Sequence, residues 1–339
     1  MRVIVYAEDP NPNYLKGLFR LNKEKKIELE LINSRIFSSI FSFSKGKTSV
    51  RELIKIFLAP VRVLFCKNII LSTGPYGKKV YYFLLLKLLG KNLIYYNSWP
   101  YWNDKNRYIN DPGLFGRFFW KRFLKKLKVV TVTHFGVEEV KKFGARGYYK
   151  PQCIDPEMFR DKNYKREKRV VLFVGRLIEE KGIFGILETA SKLKNIEFWF
   201  VGDGSLKDRI KGNNVRYLGN KTQEELVELY NKATIFVLNS YSATKSRWEE
   251  WFGISLIEAM SCGLPSVSTD CIGPKEIIKD GVNGFLIPQK DNDLLRNKIA
   301  ELMENKRLRE KFSVNGKRSV KEYNIDSISK IWYNVLRDN

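Results

Sequence analysis

The sequence FVGRLIEEKG, residues 173–182, is the clearest indication of the fold class. It completes the apolar run 170–174, whose β-branched and aromatic residues predict a buried strand. This strand ends at Gly175, and a second glycine, Gly182, precedes a helical pattern at 185–193. A strand, a glycine turn and a helix in this order form the first part of a β-α-β unit, which builds a parallel sheet.

The same alternation of apolar runs and helical stretches extends along the chain in both directions. Before this stretch, the pattern predicts strands at 3–7, 27–33, 68–73, 92–98 and 129–134, and helices at 50–66, 78–89, 114–128 and 137–143. After it, the pattern predicts strands at 196–201, 215–218, 234–238, 265–268 and 284–287, and helices at 222–231, 254–261, 274–279 and 292–305. The predicted fold class is therefore α/β, with the same parallel-sheet topology built twice.

Length and composition agree with two globular domains. The chain has 339 residues, of which 44% are hydrophobic, and this excludes a disordered or collagen-like protein. We predict an amino-terminal domain at 1–155, a charged linker at 156–169 and a carboxyl-terminal domain at 170–320. The remainder, 321–339, is expected to be a helix that packs back on the first domain. Ligands of such tandem domains are expected in the cleft between them, at the carboxyl ends of the strands.

The charge is unevenly distributed along the chain. Lys and Arg number 61 against 37 Asp and Glu, a formal net charge of +24. Residues 1–155 hold 29 of the basic and 11 of the acidic residues, a net charge of +18. An anionic partner is therefore expected for the first domain: membrane phospholipid, a phosphorylated substrate or nucleic acid.

Cysteine usage and the chain start indicate a cytoplasmic protein. Four cysteines, none in a C-x-x-C pair, and one histidine argue against a zinc site and a disulfide framework. The first residues predict a strand rather than a signal peptide, and no apolar run reaches the ~18 residues of a membrane span. The carboxylates of 291–293 stand at a predicted helix start, where capping is expected instead of metal binding.

Two motifs of the second domain combine glycine turns with polar side chains after a strand. The first is the turn at 173–182, where Arg176 offers a planar fork and Lys181 a point charge, a pair suited to a diphosphate. The second is VGDG at 201–204, whose glycines permit a tight turn. Each motif alone is also compatible with an ordinary turn that carries solvated charges.

Two further motifs surround a predicted helix start. In EEWFGISLIEAM, residues 249–260, Glu250 precedes the start, and Glu258 lies one turn inside a mostly apolar helix. A carboxylate there needs hydrogen-bond donors, such as sugar or ribose hydroxyls, unless it points to solvent. The free amides of Phe252, Gly253 and Ile254 are suited to face a phosphate. The last motif, 262–276, joins CGLP to a Gly-Pro turn that opens another helix.

In order and spacing, these motifs resemble the nucleotide-sugar half of family 4 retaining glycosyltransferases with the GT-B fold. The resemblance is specific over 170–290 and rests on 175–182, 202–204, 250–258, 262–265 and 273–276. It implies two Rossmann-like domains with parallel sheets that face an interdomain cleft. It also implies sugar transfer from a UDP- or GDP-linked donor with retention of anomeric configuration, without a metal or a further cofactor.

The resemblance implies roles for individual residues. Arg176 and Lys181 would hold the donor diphosphate and stabilise the leaving nucleotide, Glu250 would contact hydroxyls of the transferred sugar, and these three are the expected catalytic residues. Glu258 would bind the ribose. The remaining donor-binding residues would be Gly175, Gly202, Asp203, Gly204, Gly219, Asn220, Phe252, Gly253 and Ile254.

The acceptor side departs from the family pattern. Many relatives have a glycine-rich loop after the first strand, whereas this chain has one glycine there. Many relatives also have a histidine after the strand equivalent to 92–98, whereas this chain has none there. Relatives carry Asn-Gly-Ile-Asp near the domain junction, and this chain carries QCID at 152–155. The acceptor-side candidates are Asn13, Gly17, Asn97, Trp99 and His134.

The basic first domain suggests a lipid-linked glycan acceptor, used in assembly of a cell-surface polysaccharide or a glycoprotein glycan. The enzyme would then sit peripherally on the inner face of the cell membrane, on an anionic surface. Trp120, Phe123, Leu124 and Leu127 share one face of a predicted basic helix, which either packs on the sheet or contacts lipid headgroups. The stretches 37–47 and 81–89 are further membrane candidates, the second also compatible with a buried helix.

Three alternatives remain open from the sequence. Another GT-B enzyme, such as a nucleotide-sugar epimerase or a phosphorylase, would share the fold, and an epimerase would convert donor without acceptor. A nucleic-acid-binding protein is compatible with the net charge, but no recognisable DNA- or RNA-binding motif is present, so no specific nucleic-acid partner is expected. A catalytically silent paralogue is disfavoured by the presence of Arg176, Lys181, Glu250 and Glu258.

Overall fold

A computed structural model of the protein describes residues 1–8, 14–33, 58, 61–74, 80–99, 101, 113–164, 166, 169–243 and 248–338. The chain forms two compact units. The first combines Met1–Pro151 with Ile325–Asn339, and the second is Gln152–Asn324. Each unit is built on one sheet whose described strands are all parallel, so the predicted α/β class with two parallel-sheet domains is confirmed.

The described part of the first unit has six strands in the spatial order β2-β1-β3-β4-β5-β6. The strands are β1 (Arg2–Ala7), β2 (Glu28–Asn33), β3 (Asn68–Ser72), β4 (Asn92–Tyr96), β5 (Lys128–Thr131) and β6 (Arg146–Tyr149). The helices between them are α1 (Lys16–Lys23), α2 (Val80–Leu88), α3 (Gly113–Leu124) and α4 (His134–Lys142). Helices that alternate with parallel strands in this way cover both faces of a sheet.

The second unit has six described strands in the order β12-β11-β10-β7-β8-β9. The strands are β7 (Val170–Val174), β8 (Glu197–Val201), β9 (Val215–Tyr217), β10 (Ile235–Leu238), β11 (Ser266–Thr269) and β12 (Phe285–Ile287). The helices are α5 (Ile183–Lys192), α6 (Gln223–Lys232), α7 (Ile254–Ser261), α8 (Ile272–Ile277), α9 (Asn292–Glu304) and α10 (Lys306–Ser319). A last helix, α11 (Ile325–Arg337), belongs to the first unit.

The core of the second unit explains why β7 lies in the middle of its sheet. All five residues of β7 are buried, as expected for an apolar strand covered on both faces. Its Phe173 packs with Phe200 of β8, and both belong to a core cluster that includes helix residues such as Ile299. Since parallel strands all end at the same edge, the loops after β7, β8, β10 and β11 are brought to one side of the unit.

Two elements of the first unit were not predicted. Helix α1 has its buried residues Gly17, Leu18 and Leu21 on one side, but its eight residues are too few for a firm helical pattern. Strand β6, with the sequence RGYY, contains no aliphatic residue and lies at the edge of the sheet. The predicted strand 129–134 ends earlier, at Thr131, because the Thr133 hydroxyl accepts a hydrogen bond from the Gly136 amide (3.1 Å) and caps α4.

The segment that we predicted as a linker, 156–169, belongs to the second unit, and some of its described residues pack against the rest of that unit. Phe159 is fully buried there, 6.2 Å from the ring of Tyr230. The Arg166 guanidinium donates to the carbonyls of Tyr230 (2.9 Å) and Cys262 (2.9 Å). The many charges of this segment suggested solvation, but a cation that binds carbonyls at helix ends is held against the protein.

Helix α11 packs against α1 within the first unit. The Ser329 hydroxyl donates to the carbonyl of Gly17 (3.1 Å), and a Cβ on Gly17 would lie 3.0 Å from the Trp332 ring. Trp332 also packs edge-on against Tyr96 of β4, with ring centroids 5.3 Å apart. The close approach of two helices therefore accounts for a glycine at position 17.

Candidate functional site

Glycine turns follow three neighbouring strands of the second sheet and contact one another. The Gly175 amide, after β7, donates to the Val201 carbonyl (3.0 Å), and the Gly202 amide, after β8, donates to the Gly219 carbonyl (2.9 Å). Gly202 has a φ of +130°, and a Cβ there would lie 2.0 Å from the Gly175 oxygen. A side chain at position 202 is therefore excluded by both conformation and space.

The turn after β8 is tied to the turn after β7. The Asp203 carbonyl accepts the Leu177 amide (2.8 Å), and the Asp203 carboxylate accepts the Gly204 amide (2.7 Å). A Cβ on Gly204 would lie 2.4 Å from the Leu177 oxygen. Asn220 follows β9 and Gly219 and is exposed. The structure thus brings together the predicted donor-binding glycines at the carboxyl edge of the sheet.

The two predicted cations of the first motif lie in different environments. Arg176 is exposed in the turn after β7, and its guanidinium makes no hydrogen bond to any residue that the structure describes. Lys181 is buried at the end of a single 3-10 turn, Glu179–Lys181. Gly182 ends this turn with a φ of +67°, and a Cβ there would lie 1.9 Å from the Asn239 carbonyl oxygen. The glycine therefore lets this turn lie against the end of β10.

Lys181 and Glu250 form a buried ion pair. The Lys181 ammonium donates to the Glu250 carboxylate, and the Ser240 hydroxyl donates to the same oxygen at 2.9 Å. The Trp248 ring covers the ammonium, whose nitrogen lies 5.3 Å from the ring centroid. Each charge is compensated by its partner, which a buried ion needs.

The first residues of α8 are held by the two adjacent glutamates, Glu249 and Glu250. The Gly273 amide donates to the Glu250 carbonyl (2.9 Å), and the Ile272 amide donates to the Glu249 carboxylate (3.3 Å). A Cβ on Gly273 would lie 2.3 Å from the Phe252 Cα atom. The predicted Gly-Pro turn and the Glu250 motif therefore form one structural unit.

Helix α7 begins directly after this region. Gly253 precedes it with a φ of +98°, and no side chain of the described residues caps it. The Leu256 amide donates to the Gly253 carbonyl (3.0 Å), which leaves the amides of Ile254 and Ser255 available to an anion. Phe252 is buried, and its ring packs edge-on against Tyr323 at 5.4 Å.

The second predicted glutamate lies inside α7 and contacts a buried tyrosine. The Tyr230 hydroxyl donates to the Glu258 carboxylate at 3.0 Å. Burial and the negative charge of Glu258 raise the pKa of Tyr230 well above its ordinary value, so the phenol keeps its proton. The Tyr230 ring is packed against Phe159 and Phe236. Glu258 thus points toward α6 and is oriented there by a neutral donor.

The acceptor-side candidates do not form one cluster in the described part of the chain. Asn13 lies outside the described residues, and Gly17 is at the α1–α11 contact. The Asn97 side chain holds the turn after β4: its amide nitrogen donates to the Thr73 carbonyl (3.0 Å), and its oxygen accepts the Trp99 amide (2.7 Å).

The two remaining rings on this side contact tyrosines, Trp99 edge-on and His134 by stacking. Trp99 is buried and lies 6.3 Å from the Tyr101 ring. His134 is the first residue of α4, is exposed and stacks on Tyr149 at 3.7 Å. Asn97 and Trp99 follow the carboxyl end of β4 and His134 follows that of β5, and their contact with an acceptor stays a prediction.

Four residues of the second unit belong to this arrangement but were not singled out from the sequence: Ser240, Glu249, Trp248 and Tyr230. Ser240 had a usable signal, because it lies two residues after the end of β10 and therefore at the carboxyl edge. No sequence signal pointed to Tyr230, because it lies on α6, 28 positions before Glu258, the residue that it contacts.

The two carboxylates of the stretch 291–293 have structural partners. The Asp291 side chain accepts the Leu294 amide at 2.9 Å and caps α9, so the predicted capping role is confirmed. Asp293 pairs with Arg296 (2.7 Å). Within the described ranges, no group of three His, Cys, Asp or Glu side chains is placed to hold a metal ion.

Comparison with known proteins gives a family for the second unit. Residues 154–319 match the family model described as glycosyl transferases group 1. The uncharacterized glycosyltransferase MJ1178 of Methanocaldococcus jannaschii is 33% identical over 159 residues, which cover 45% of this chain and 43% of that protein. The N,N'-diacetylbacillosaminyl-diphospho-undecaprenol alpha-1,3-N-acetylgalactosaminyltransferase of Campylobacter jejuni is 31% identical over 172 residues, 48% of this chain and 43% of that protein. The chain therefore spans less than half the length of these curated relatives.

A solved structure shares the fold over the full length. Anabaena HepE, crystallised in complex with UDP, superposes with a TM-score of 0.75 at 15% identity and covers 100% of both chains. The likeness at this identity concerns the fold, and it confirms the predicted GT-B class of two Rossmann-like domains. The second unit is therefore similar to the glycosyl transferases group 1 family over residues 154–319.

Proposed function

We propose that this protein is a retaining glycosyltransferase that moves a sugar from a UDP- or GDP-linked donor to a glycan acceptor. The observation that carries the proposal is the buried Lys181–Glu250 pair beside the glycine turns of the second sheet. Backbone amides, a lysine and glutamates at one sheet edge form a site suited to a diphosphate flanked by hydroxyl groups. The complex of Anabaena HepE with UDP supports a nucleotide in this fold.

The chemistry follows from where charge develops. Cleavage of the bond between the sugar and the diphosphate leaves negative charge on the departing nucleotide, and cations fixed beforehand stabilise that charge. Lys181 has three N–H donors, so it can keep its bond to Glu250 and direct another to a phosphate oxygen. Arg176 is exposed and adds a planar fork from the turn after β7.

The two glutamates have separate tasks in this proposal. Glu250, held by Lys181 and Ser240, accepts hydrogen bonds from hydroxyls of the transferred sugar. Glu258, oriented by the Tyr230 hydroxyl, accepts hydrogen bonds from the ribose. Buried carboxylates need such donors, and a nucleotide sugar supplies them at both ends of its diphosphate.

The acceptor is proposed to be a lipid-linked glycan of cell-surface polysaccharide or glycoprotein assembly. The relative from Campylobacter jejuni is named for a diphospho-undecaprenol-linked substrate, and the net charge of +18 over residues 1–155 suits an acceptor with an anionic diphosphate. The same charge supports peripheral binding at the inner face of the cell membrane.

The test is a product analysis with the purified full chain. UDP- and GDP-sugars are incubated with and without polyprenyl-diphosphate glycans, and the products are identified by mass spectrometry and by the anomeric NMR couplings. We expect a glycan extended by one sugar, with the donor's anomeric configuration, only when donor and acceptor are both present. An inverted product contradicts the retaining mechanism, and conversion of the donor to another nucleotide sugar without acceptor points to an epimerase.

A further inference from the structure

Large apolar side chains are exposed to solvent along one side of the first unit. Helix α2 was open to interpretation as a buried helix, but only three of its residues are buried. Exposure is greatest at Leu88 (82%), Leu114 (87%) and Phe115 (81%). The exposed set, which we call the α2–α3 face, is Tyr81, Leu85, Leu88, Leu89, Leu114, Phe115 and Phe118.

The aromatic members of the α2–α3 face belong to one continuous surface. The Phe119 ring lies 5.8 Å from Tyr81 of α2, and it also lies 6.4 Å from Phe115 and 5.7 Å from Phe118 of its own helix. On α2, Tyr81, Leu85 and Leu88 follow the helical spacing that places side chains on one side. Seven large apolar side chains grouped on two neighbouring helices differ from an ordinary protein surface, where exposed apolar residues are scattered singly.

The apolar side predicted from the sequence is a different one. Trp120, Phe123, Leu124 and Leu127 are all buried, so this set packs inside the first unit and is not available to a membrane. Because this side of α3 is packed in the core, Leu114, Phe115 and Phe118 on the other side of the helix are exposed to solvent. The opposite, exposed side of the same helix therefore carries the apolar patch.

Cations continue the exposed side of α3. Residues 113–128 contain six Lys and Arg residues and no Asp or Glu. Lys121, Arg122 and Lys125 are exposed, and they follow Phe118 by three, four and seven positions, which places them along the same side of the helix. An apolar surface that is bordered by cations and carries no carboxylates is complementary to a lipid bilayer with anionic headgroups.

We propose that the α2–α3 face docks on the anionic surface of a phospholipid bilayer. Phe115, Phe118 and their apolar neighbours would enter the headgroup–acyl boundary, while Lys121 and Arg122 contact phosphates. Within the described residues no helix is long and apolar enough to cross a bilayer, so the face lies on the membrane surface. A protein partner selected by the same cations would need an acidic surface with an apolar centre, and the test below separates the two.

Part of the α2–α3 face lies toward the carboxyl edge of the first sheet, so a docked bilayer would lie near this edge. Helices α2 and α3 begin after β3 and β4, so Tyr81, Leu114 and Phe115 lie toward the carboxyl edge of the sheet. Asn97 and His134 follow strands that end at this same edge. A docked bilayer would bring lipid-linked acceptors to the carboxyl edge of the first sheet, where ligands are expected to bind. Only this consequence rests on the proposed function.

The experiment is sedimentation of the full chain with vesicles, without donor or acceptor. Wild-type protein is mixed with vesicles of phosphatidylcholine alone and of phosphatidylcholine with phosphatidylglycerol, at low and at high salt. We expect binding to the anionic vesicles that weakens with salt. Phe115→Ser and Phe118→Ser should each weaken it about tenfold, and Lys121→Gln or Arg122→Gln about fivefold.

The matched control is Phe184→Ser, which removes a half-exposed phenylalanine from α5 of the second unit and should leave vesicle binding unchanged. Thermal unfolding and UDP or GDP binding verify that each variant keeps its fold and its donor site. The proposal is overturned if wild-type protein ignores anionic vesicles, if the face variants bind as wild type does, or if they only abolish self-association. Since no sugar transfer is measured, failure here leaves the proposed reaction intact, and failure of transfer leaves this result intact.

Discussion

The ammonium of Lys181 and the carboxylate of Glu250 form a buried ion pair across 69 positions of sequence. Lys181 comes from the turn after β7, whereas Glu250 precedes α7, so the pair joins two of the motifs that the sequence places far apart. A buried charge that loses its partner is strongly destabilising. The pair therefore has a structural consequence in addition to its proposed role in donor binding.

Lys181→Met should abolish transfer and also destabilise the fold. The substitution leaves the Glu250 carboxylate buried with Ser240 as its remaining described donor, and an unpaired buried charge costs about 3 kcal/mol. The double variant Lys181→Met/Glu250→Gln buries no charge, so it should recover most of the free energy of unfolding while remaining inactive. Urea unfolding of both single variants and the double variant measures this coupling. Additive losses of stability in the double variant would show that the two side chains do not interact.

Tyr230→Phe should weaken recognition of the ribose. The variant keeps the ring between Phe159 and Phe236 but removes the hydroxyl that donates to Glu258, and such a hydrogen bond contributes about 1 kcal/mol, or fivefold in affinity. We expect a higher KM for the donor with little change in kcat. Wild-type protein should also prefer the ribonucleotide to its 2'-deoxy form, and the variant should lose part of that preference. An unchanged preference would assign the Tyr230–Glu258 contact to stability alone.

Gly202→Ala should be far more harmful than Gly281→Ala. Both glycines have positive φ, so both substitutions strain the backbone by about 1 kcal/mol. Only at position 202 would the new Cβ meet backbone, 2.0 Å from the Gly175 oxygen, whereas nothing lies within 4 Å at position 281. We expect Gly202→Ala to lower the melting temperature and donor affinity together. Equal melting temperatures for the two variants would contradict the close contact between the turns after β7 and β8.

The cysteine thiols should be inert in the folded protein at pH 8. All four are buried, and burial, with the nearby Glu258 charge, raises the pKa of Cys262 to about 12. An unfolded thiol ionises from about pH 8.5, so the unfolded state loses the Cys262 proton that the folded state keeps, and stability should fall as pH rises above that value. Ellman's reagent should label four thiols in guanidinium and almost none in native protein. Rapid native labelling would show that Cys262 is accessible.

Periodicity in the sequence was sufficient for most of the fold. Strands such as β7 and helices such as α7 were predicted with correct bounds, because long buried apolar runs and glycine ends give strong local signals. The predicted donor motifs lie at one sheet edge, since parallel topology brings the ends of β7, β8 and β10 together. Helix α1 was missed because it has only eight residues, and strand β6 was missed because none of its four residues is buried.

The contacts between distant residues were beyond sequence reasoning. That Lys181 would meet Glu250, and that Tyr230 would meet Glu258, depends on how loops and helices pack, for which one sequence has no signal. The orientation of α3 was also ambiguous, because this helix is apolar on its buried side and in its exposed first turns. Helical spacing groups such residues but does not decide which group faces the core.

The central claim is that Arg176 and Lys181 bind the diphosphate of the donor, and nucleotide titration tests it most directly. Calorimetry compares UDP with uridine, and GDP with guanosine, for the wild type, Arg176→Ala and Lys181→Met. Arg176 is exposed and makes no hydrogen bond to a described residue, so Arg176→Ala should keep wild-type stability. We predict that the wild type binds one diphosphate at least 100-fold more tightly than its nucleoside, as expected for charge-assisted bonds worth about 1.5–3 kcal/mol each, and that both variants lose most of this difference. Variants that retain the full preference for the diphosphate would contradict the account.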